Sequence, residues 1–139
     1  MTNDDPPALV IETINKVLRD EGPARLLLQG YEPRRRVLTM ALTFDGGPRE
    51  DDAFVVVFDG AAIFHVPSVL HREVVFAVLP PSAARKYVPR MSFDEAEFGP
   101  AGFRIIAILD EDEAETGYYV AAEGCTAEWL PKDQCAFAW

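Results

Sequence analysis

Reactive side chains are scarce in this 139-residue chain, which contains two histidines, two cysteines and three serines. No serine lies in a Gly-x-Ser-x-Gly motif, and neither a Gly-x-Gly-x-x-Gly nor a phosphate-binding Gly-Lys-Ser/Thr motif is present. Carboxylates are plentiful, but their adjacent pairs fall in predicted loops, where a raised pKa of the glycosidase type is not expected. The sequence therefore favours a protein without catalytic activity, and we predict no catalytic residues and no cofactor.

The few sulfur and imidazole groups give little support for a metal site. Cys125 and Cys135 lack the further soft ligands that zinc requires, and we expect reduced thiols whose pKa neighbouring acids raise. His65, His71 and Glu73 form the one combination that resembles a metal or acid–base site, since an extended segment would place His71 and Glu73 on one face. No third ligand is evident, so structural or surface histidines are favoured and no metal is predicted.

Long apolar runs and clustered basic residues are also lacking. No segment approaches the roughly 18 apolar residues of a membrane-spanning helix. The first residues are acids and prolines, where a signal peptide would have a basic and then an apolar region. An isoelectric point near 4.5 is poorly suited to neutralising phosphates. We therefore predict a small cytoplasmic protein of bacterial type that binds neither nucleic acid nor membranes.

The composition is that of a globular domain, with 49% hydrophobic and 11% aromatic residues. Residues 10–18 show apolar side chains at helical spacing, and Gly22-Pro23 ends the pattern. We predict a helix over about 7–21, with Asn15 on its water-facing side. Residues 1–139 are expected to form one domain, in which a sheet over about 25–130 follows the helix and an apolar tail occupies 131–139.

Most of the chain after the helix is predicted to form short strands. Residues 37–44 alternate strictly, so the even-numbered apolar side chains share one face. Asp59-Gly60, between the apolar segments 53–58 and 61–66, predicts a two-residue hairpin because its central positions need positive φ. The predicted fold class is α+β, with one N-terminal helix packed on a curled, mainly antiparallel sheet of six or seven strands.

Negative charge is concentrated in the last third of the chain. Residues 91–139 hold eleven acidic residues against Arg104 and Lys132, whereas residues 1–90 are nearly neutral and the whole chain carries a charge of −10. Five acids lie in residues 110–115, here called the acidic segment: Asp110, Glu111, Asp112, Glu113 and Glu115. Clustered carboxylates speed the encounter with a basic protein, so we predict a partner-binding site here. A solvated loop that aids solubility and a loose cation site are the alternatives.

A second acidic cluster consists of Asp94, Glu95 and Glu97, between Phe93 and Phe98. Exposed aromatic rings rimmed by acids would suit an interface, so these acids are added to the predicted partner-binding site. The alternative is that both phenylalanines belong to the core and the acids form the wet face of a short helix.

These observations predict a non-catalytic acidic domain that docks a basic partner protein, in the manner of an immunity or inhibitor protein. The alternative is a small-molecule-binding or enzymatic domain with an apolar pocket between helix and sheet. Its predicted lining is Phe54, Phe58, Phe64, Phe76, Tyr118 and Tyr119. A homodimer is a further alternative, in which the arginines at 34–36 would meet acids on a second copy. The other role for these arginines is to block unwanted pairing at an exposed strand edge.

Overall fold

The computed structural model describes residues 6–22, 24–44, 47–61, 63–67, 69–71, 74–79, 104–110, 112 and 115–134. Within these residues one helix precedes nine strands, and every strand pair is antiparallel. The elements are α1 (Pro6–Glu21), β1 (Arg25–Glu32), β2 (Val37–Thr43), β3 (Asp52–Asp59), β4 (Ile63–His65), β5 (Val69–His71), β6 (Val74–Leu79), β7 (Arg104–Asp110), β8 (Glu115–Ala122), β9 (Gly124–Pro131) and a 3-10 helix (Lys132–Gln134). The predicted α+β class with antiparallel strands is confirmed.

The strands form two sheets, which corrects the prediction of a single curled one. Sheet A has five strands in the order β5-β1-β2-β3-β9, and sheet B has four in the order β4-β8-β7-β6. Their inner faces share one hydrophobic core, to which β2 contributes the predicted alternating set. Alternation along a strand identifies its buried face but not its neighbours, so it could not distinguish one sheet from two.

The predicted hairpin at Asp59-Gly60 is also wrong, because this segment carries the chain from sheet A into sheet B. β3 pairs with β9 as far as Asp59 opposite Gly124, and the pairing resumes with Ile63 of β4 opposite Ala121 of β8. Between these two pairs the register shifts by one residue, which marks a β-bulge. β3 and β4 therefore form one continuous ribbon with β9 and β8, and this ribbon bends at the bulge. Gly60 has the predicted positive φ, at 63°.

Gly60 also lies close to an exposed side chain at this corner. A Cβ at Gly60 would meet the side chain of Glu123, which links β8 to β9. The Glu123 N–H donates a hydrogen bond of 2.9 Å to the Asp59 carbonyl. The left-handed conformation at Gly60 therefore serves a bend between two sheets rather than a tight turn.

The interior strands β3 and β7 carry buried side chains on both faces. In β7, Ile106 and Ile108 face the shared core, while Ile105 and Ala107 on the opposite face are equally inaccessible to water. Such strands read as nearly continuous apolar runs rather than alternating ones. The sequence Ile105-Ile-Ala-Ile-Leu109 follows that rule.

Helix α1 lies across the edges of the two sheets. It packs against β6 and β9, which are edge strands of sheets B and A, so the prediction that it covers a sheet face needs correction. Ile11 and Ile14 are buried in the core, as their helical spacing predicts. The helix thereby covers part of an edge that would otherwise be open to pairing with other chains.

The side chain of Asn15 bonds the helix to the edge of β6. The prediction that Asn15 faces water is therefore wrong. Its Nδ2 donates to the Phe76 carbonyl and its Oδ1 accepts from the Phe76 N–H, both at 2.8 Å. The carboxamide therefore satisfies the two backbone groups that Phe76 directs away from β7. In effect it replaces one residue of a neighbouring strand.

Candidate functional site: the acidic segment

The acidic segment is shorter as a loop than the sequence suggests, since both of its ends lie in strands. β7 ends at Asp110, opposite Val74, and β8 begins at Glu115. The half-buried Asp110 carboxylate accepts a hydrogen bond of 2.9 Å from the backbone N–H of Asp112, whose side chain is exposed. This local bond turns the chain at the end of β7 and places Asp112 in water.

A bulge fixes the base of this hairpin. Ile108 lies opposite Tyr118, whereas Leu109 lies opposite Glu115, so Thr116 and Gly117 are additional residues on the β8 side. The Thr116 hydroxyl donates to the Ile108 carbonyl and accepts from the Tyr118 N–H at 3.1 Å, while Gly117 has a φ of 88°. The hydroxyl thus bonds two backbone groups that the bulge moves apart, the Ile108 carbonyl and the Tyr118 N–H. These bonds stabilise the base of the hairpin.

His65 of the neighbouring strand β4 supports this bulge. Its Nδ1 lies 3.2 Å from the Gly117 carbonyl, and its ring meets that of Tyr118 at a centroid distance of 5.5 Å. A carbonyl only accepts, so the contact requires a proton on Nδ1. The exposed His65 therefore acts as a strand-edge contact to the hairpin.

The predicted combination of His65, His71 and Glu73 is described only in part. His65 belongs to sheet B, whereas the backbone of His71 pairs with Arg25 in sheet A. The side chain of His71 and the whole of Glu73 lie outside the described residues. Within the described part of the chain, no three His, Cys, Asp or Glu side chains are grouped so as to hold a metal ion.

The predicted partner-binding residues are described only in part. Asp110 and Asp112 belong to the hairpin described above, and for Glu115 the backbone alone is described. The remaining predicted residues lie outside the described part of the chain: Glu111, Glu113, Asp94, Glu95 and Glu97. The structure therefore joins part of the acidic segment to one hairpin and leaves the second acidic cluster as a prediction.

The strands around the acidic segment add no basic side chain. Residues 105–131, which include β8, β9 and all of β7 after Arg104, contain seven acids and neither lysine nor arginine. Arg104 is buried, and its guanidinium is 3.4 Å from the Glu123 carbonyl at the far end of β7 from the acidic segment. This part of the chain therefore carries negative charge along its length, and the hairpin places some of it at the turn.

The buried Cys125 is inert rather than catalytic. Its thiol is free, and burial together with the Asp59 carboxylate raises its pKa to about 12. The direction agrees with the effect predicted from nearby acids, although burial is the larger cause. A thiolate is the nucleophile in cysteine chemistry, so a thiol with this pKa is a poor one at neutral pH.

We expect the Cys125 thiol to react with a maleimide only when the protein unfolds. In a Cys135→Ser background at pH 7, the pKa change from 9.0 to about 12 implies a thiolate fraction about a thousandfold lower than in the unfolded chain. The same variant in denaturant provides the control. A native labelling rate within about tenfold of the denatured rate would contradict the assignment. The stability that the protonated thiol contributes is present at neutral pH and declines as pH rises from about 9 towards 12.

Sequence reasoning missed a contact between Arg49 and Trp129. The guanidinium lies 4.4 Å above the centroid of the indole ring and 3.2 Å from the Asp52 carboxylate. Trp129 also packs against Phe54 at 5.0 Å and Phe44 at 5.8 Å. The contact anchors the β2–β3 connection to β9. Eighty positions separate Arg49 from Trp129, and no local pattern signals their meeting.

A groove of about 310 Å³ lies between the first half of α1 and β6. Its lining consists of Ala8, Ile11, Glu12, Phe76, Ala77 and Val78. Of the predicted pocket residues, Phe76 contributes to this groove, while Phe54 and Phe58 are buried in the core. A space between the helix and the edge of sheet B therefore exists.

Comparison with known proteins gave no match to a family model, a curated protein or a solved structure. Among the described elements, no helix is long and apolar enough to cross a membrane. Function must therefore be argued from the chain's own geometry and charge.

Proposed function

We propose that this protein is a non-catalytic binding domain whose acidic segment docks a basic partner protein. The observation that carries the proposal is that Asp110 and the exposed Asp112 lie together where β7 ends, beside the hairpin base to which the Thr116 hydroxyl is bonded. Charge complementarity of this kind mainly accelerates association and adds specificity.

The more specific form of the proposal is an inhibitor or immunity-type protein that covers a cationic cleft. It is supported by the sequence of residues 105–131, where seven acids occur without a lysine or arginine. A cationic cleft that handles an anionic substrate is a surface such a segment would complement. The identification of the partner class rests on electrostatic analogy alone.

Neutralising the acidic segment should weaken partner binding by more than about tenfold. The variant Asp110→Asn, Asp112→Asn, Glu113→Gln removes three charges, and about 0.5 kcal/mol for each exposed pair amounts to roughly a factor of ten. Asparagine at position 110 retains an acceptor for the Asp112 N–H. The partner is captured from a lysate of the native host, identified by mass spectrometry, and its association with each variant is then measured.

The matched control removes three exposed charges elsewhere, with Glu50→Gln, Asp51→Asn and Asp133→Asn. Measurements from about 0.1 to 1 M salt shorten the Debye length from about 10 to 3 Å, so the wild-type association rate should fall steeply. The triple variant of the acidic segment should show a much shallower salt dependence. Equal weakening by the control variant, or an unchanged affinity after neutralisation of the acidic segment, would refute the docking proposal.

A further inference from the structure

The edge of β6 beyond Asn15 has the backbone geometry of a strand that can accept another strand. Phe76 uses both its N–H and its C=O to bond Asn15, so these groups face away from β7. In an antiparallel pair the direction alternates, so Val78, two residues further on, also directs its N–H and C=O away from β7. Among the described residues, none forms a hydrogen bond to these two groups of Val78.

The groove beside Val78 combines an apolar floor with a charged rim. Ile11 and Phe76 are buried side chains that form part of its wall, and the exposed Glu12 stands at its border. Its volume of about 310 Å³ is at the lower end of the roughly 300–1,000 Å³ of ligand sites. Asn15 closes the groove towards the start of β6, because its carboxamide already occupies the edge at Phe76.

We propose that this groove binds a short extended peptide segment carrying a basic residue, by addition of a strand to β6. The peptide backbone would pair with the N–H and C=O of Val78, and one apolar side chain would pack against the half-buried Ala8 and Val78, above the buried Ile11 and Phe76. A neighbouring lysine or arginine would face the exposed carboxylate of Glu12 at the border of the groove. The site is separate from the acidic segment and goes beyond the proposed docking function.

A second copy of this chain is a poor occupant of the groove. Helix α1 stands along the edge of β6, and Asn15 leaves a single outward-facing residue, Val78, between Phe76 and the end of the strand. A folded partner needs a longer free edge, whereas a peptide can bend away on both sides. Two copies would also bring together two chains of charge −10, which repel each other.

The test uses the capped peptide acetyl-Lys-Val-Thr-Val-Lys-amide, titrated into the isotope-labelled protein and followed by NMR. We expect weak binding, with the largest amide shift and new protection from hydrogen exchange at Val78. An analogue N-methylated at its three central residues cannot pair as a strand and should bind at least tenfold more weakly. An analogue with glutamate in place of lysine should bind at least threefold more weakly. Equal binding of the N-methylated analogue, or no response at Val78, would overturn the proposal.

Two variants locate the peptide. Ala8→Phe fills the groove and should reduce binding more than tenfold, while Leu9→Ala, on the exposed side of the helix, should leave it unchanged. If Ala8→Phe fails to fold, Glu12→Lys still decides, because it should reverse the preference between the lysine and glutamate peptides. An unchanged preference, or a folded Ala8→Phe that binds normally, would refute the groove as the site.

Self-association and the proposed function are separated by two further measurements. Shifts at Val78 that grow with protein concentration in the absence of peptide, together with dimer formation in sizing, would overturn the peptide proposal in favour of a second copy. The variant with Asp110, Asp112 and Glu113 neutralised should bind the peptide like the wild type. Loss of peptide binding in that variant would overturn the claim that the groove is a separate site.

Discussion

Replacing Phe58 by alanine is expected to lower the free energy of unfolding by about 3–5 kcal/mol. Phe58 is fully buried, lies opposite Leu38 in β2 and Cys125 in β9, and is the last core residue of β3 before the chain bends into sheet B. Its removal leaves a cavity where the backbone is already constrained by the bulge at Gly60, so the site has little freedom to collapse. Urea denaturation followed by circular dichroism measures the loss.

The neighbouring residue provides the control for Phe58. Val57 lies on the opposite face of β3 and is half-buried, so Val57→Ala should cost only about 1 kcal/mol. Phe58→Leu keeps most of the apolar volume and should fall between the two, which preserves the comparison if Phe58→Ala does not fold. A loss of less than about 1.5 kcal/mol for Phe58→Ala would show that the corner repacks.

The sequence predicted local structure well where a single period governs the residues. The alternation in 37–44 specified which side chains of β2 enter the core, and Leu38, Met40 and Leu42 are fully buried. The helical spacing in α1 likewise placed Ile11 and Ile14 in the core. Such patterns can be read from one segment at a time. They did not show that the opposite face of β2 is also partly covered, since Ala41 and Thr43 are buried as well.

Strand pairing could not be predicted, because it depends on residues far apart in the chain. Asp59-Gly60 gave a correct prediction of positive φ and a wrong prediction of a hairpin. A glycine in this conformation serves a tight turn or a bulged corner equally well, and the choice depends on whether a partner such as β9 is present. The three-residue strand β5 was missed because its sequence is too short to show a period.

The candidate site was predictable as charge but not as geometry. Five acids in residues 110–115 are visible in the sequence, whereas their attachment to a bulged hairpin depends on Thr116 and Gly117. A glycine within a strand pattern often marks a bulge, as Gly117 does here. That signal was the one available indication that β8 begins before Gly117.

Asn15 shows the limit of dividing residues into polar and apolar. A carboxamide on the polar side of a helix is usually solvated, but here it is half-buried and bonded to Phe76 at 2.8 Å through both of its polar atoms. Helical periodicity assigns Asn15 to the water-facing side of α1 and gives no information about an edge strand beside it. Its role follows from where β6 lies, which is a property of the whole fold.

Asn15→Ala is expected to lower the free energy of unfolding by about 1.5–3 kcal/mol. Two hydrogen bonds are lost, each with a net value of about 1 kcal/mol, and the Phe76 N–H and C=O lose their partner at a partly buried edge. Alanine is the better helix former by up to about 0.7 kcal/mol, which offsets part of the loss. Urea denaturation measures the difference, and amide exchange at Phe76 should become faster.

Asn15→Asp separates the two hydrogen bonds. The carboxylate still accepts from the Phe76 N–H but places a second acceptor opposite the Phe76 carbonyl, so at neutral pH this variant should be no more stable than Asn15→Ala. Protonation at acid pH restores a donor, and the stability of Asn15→Asp relative to Asn15→Ala should then rise. Lys16→Ala, at an exposed neighbouring position, should change stability little. Equal stability of Asn15→Ala and Lys16→Ala would contradict this role of the carboxamide. It would mean that water bonds the Phe76 N–H and C=O as well as Asn15 does.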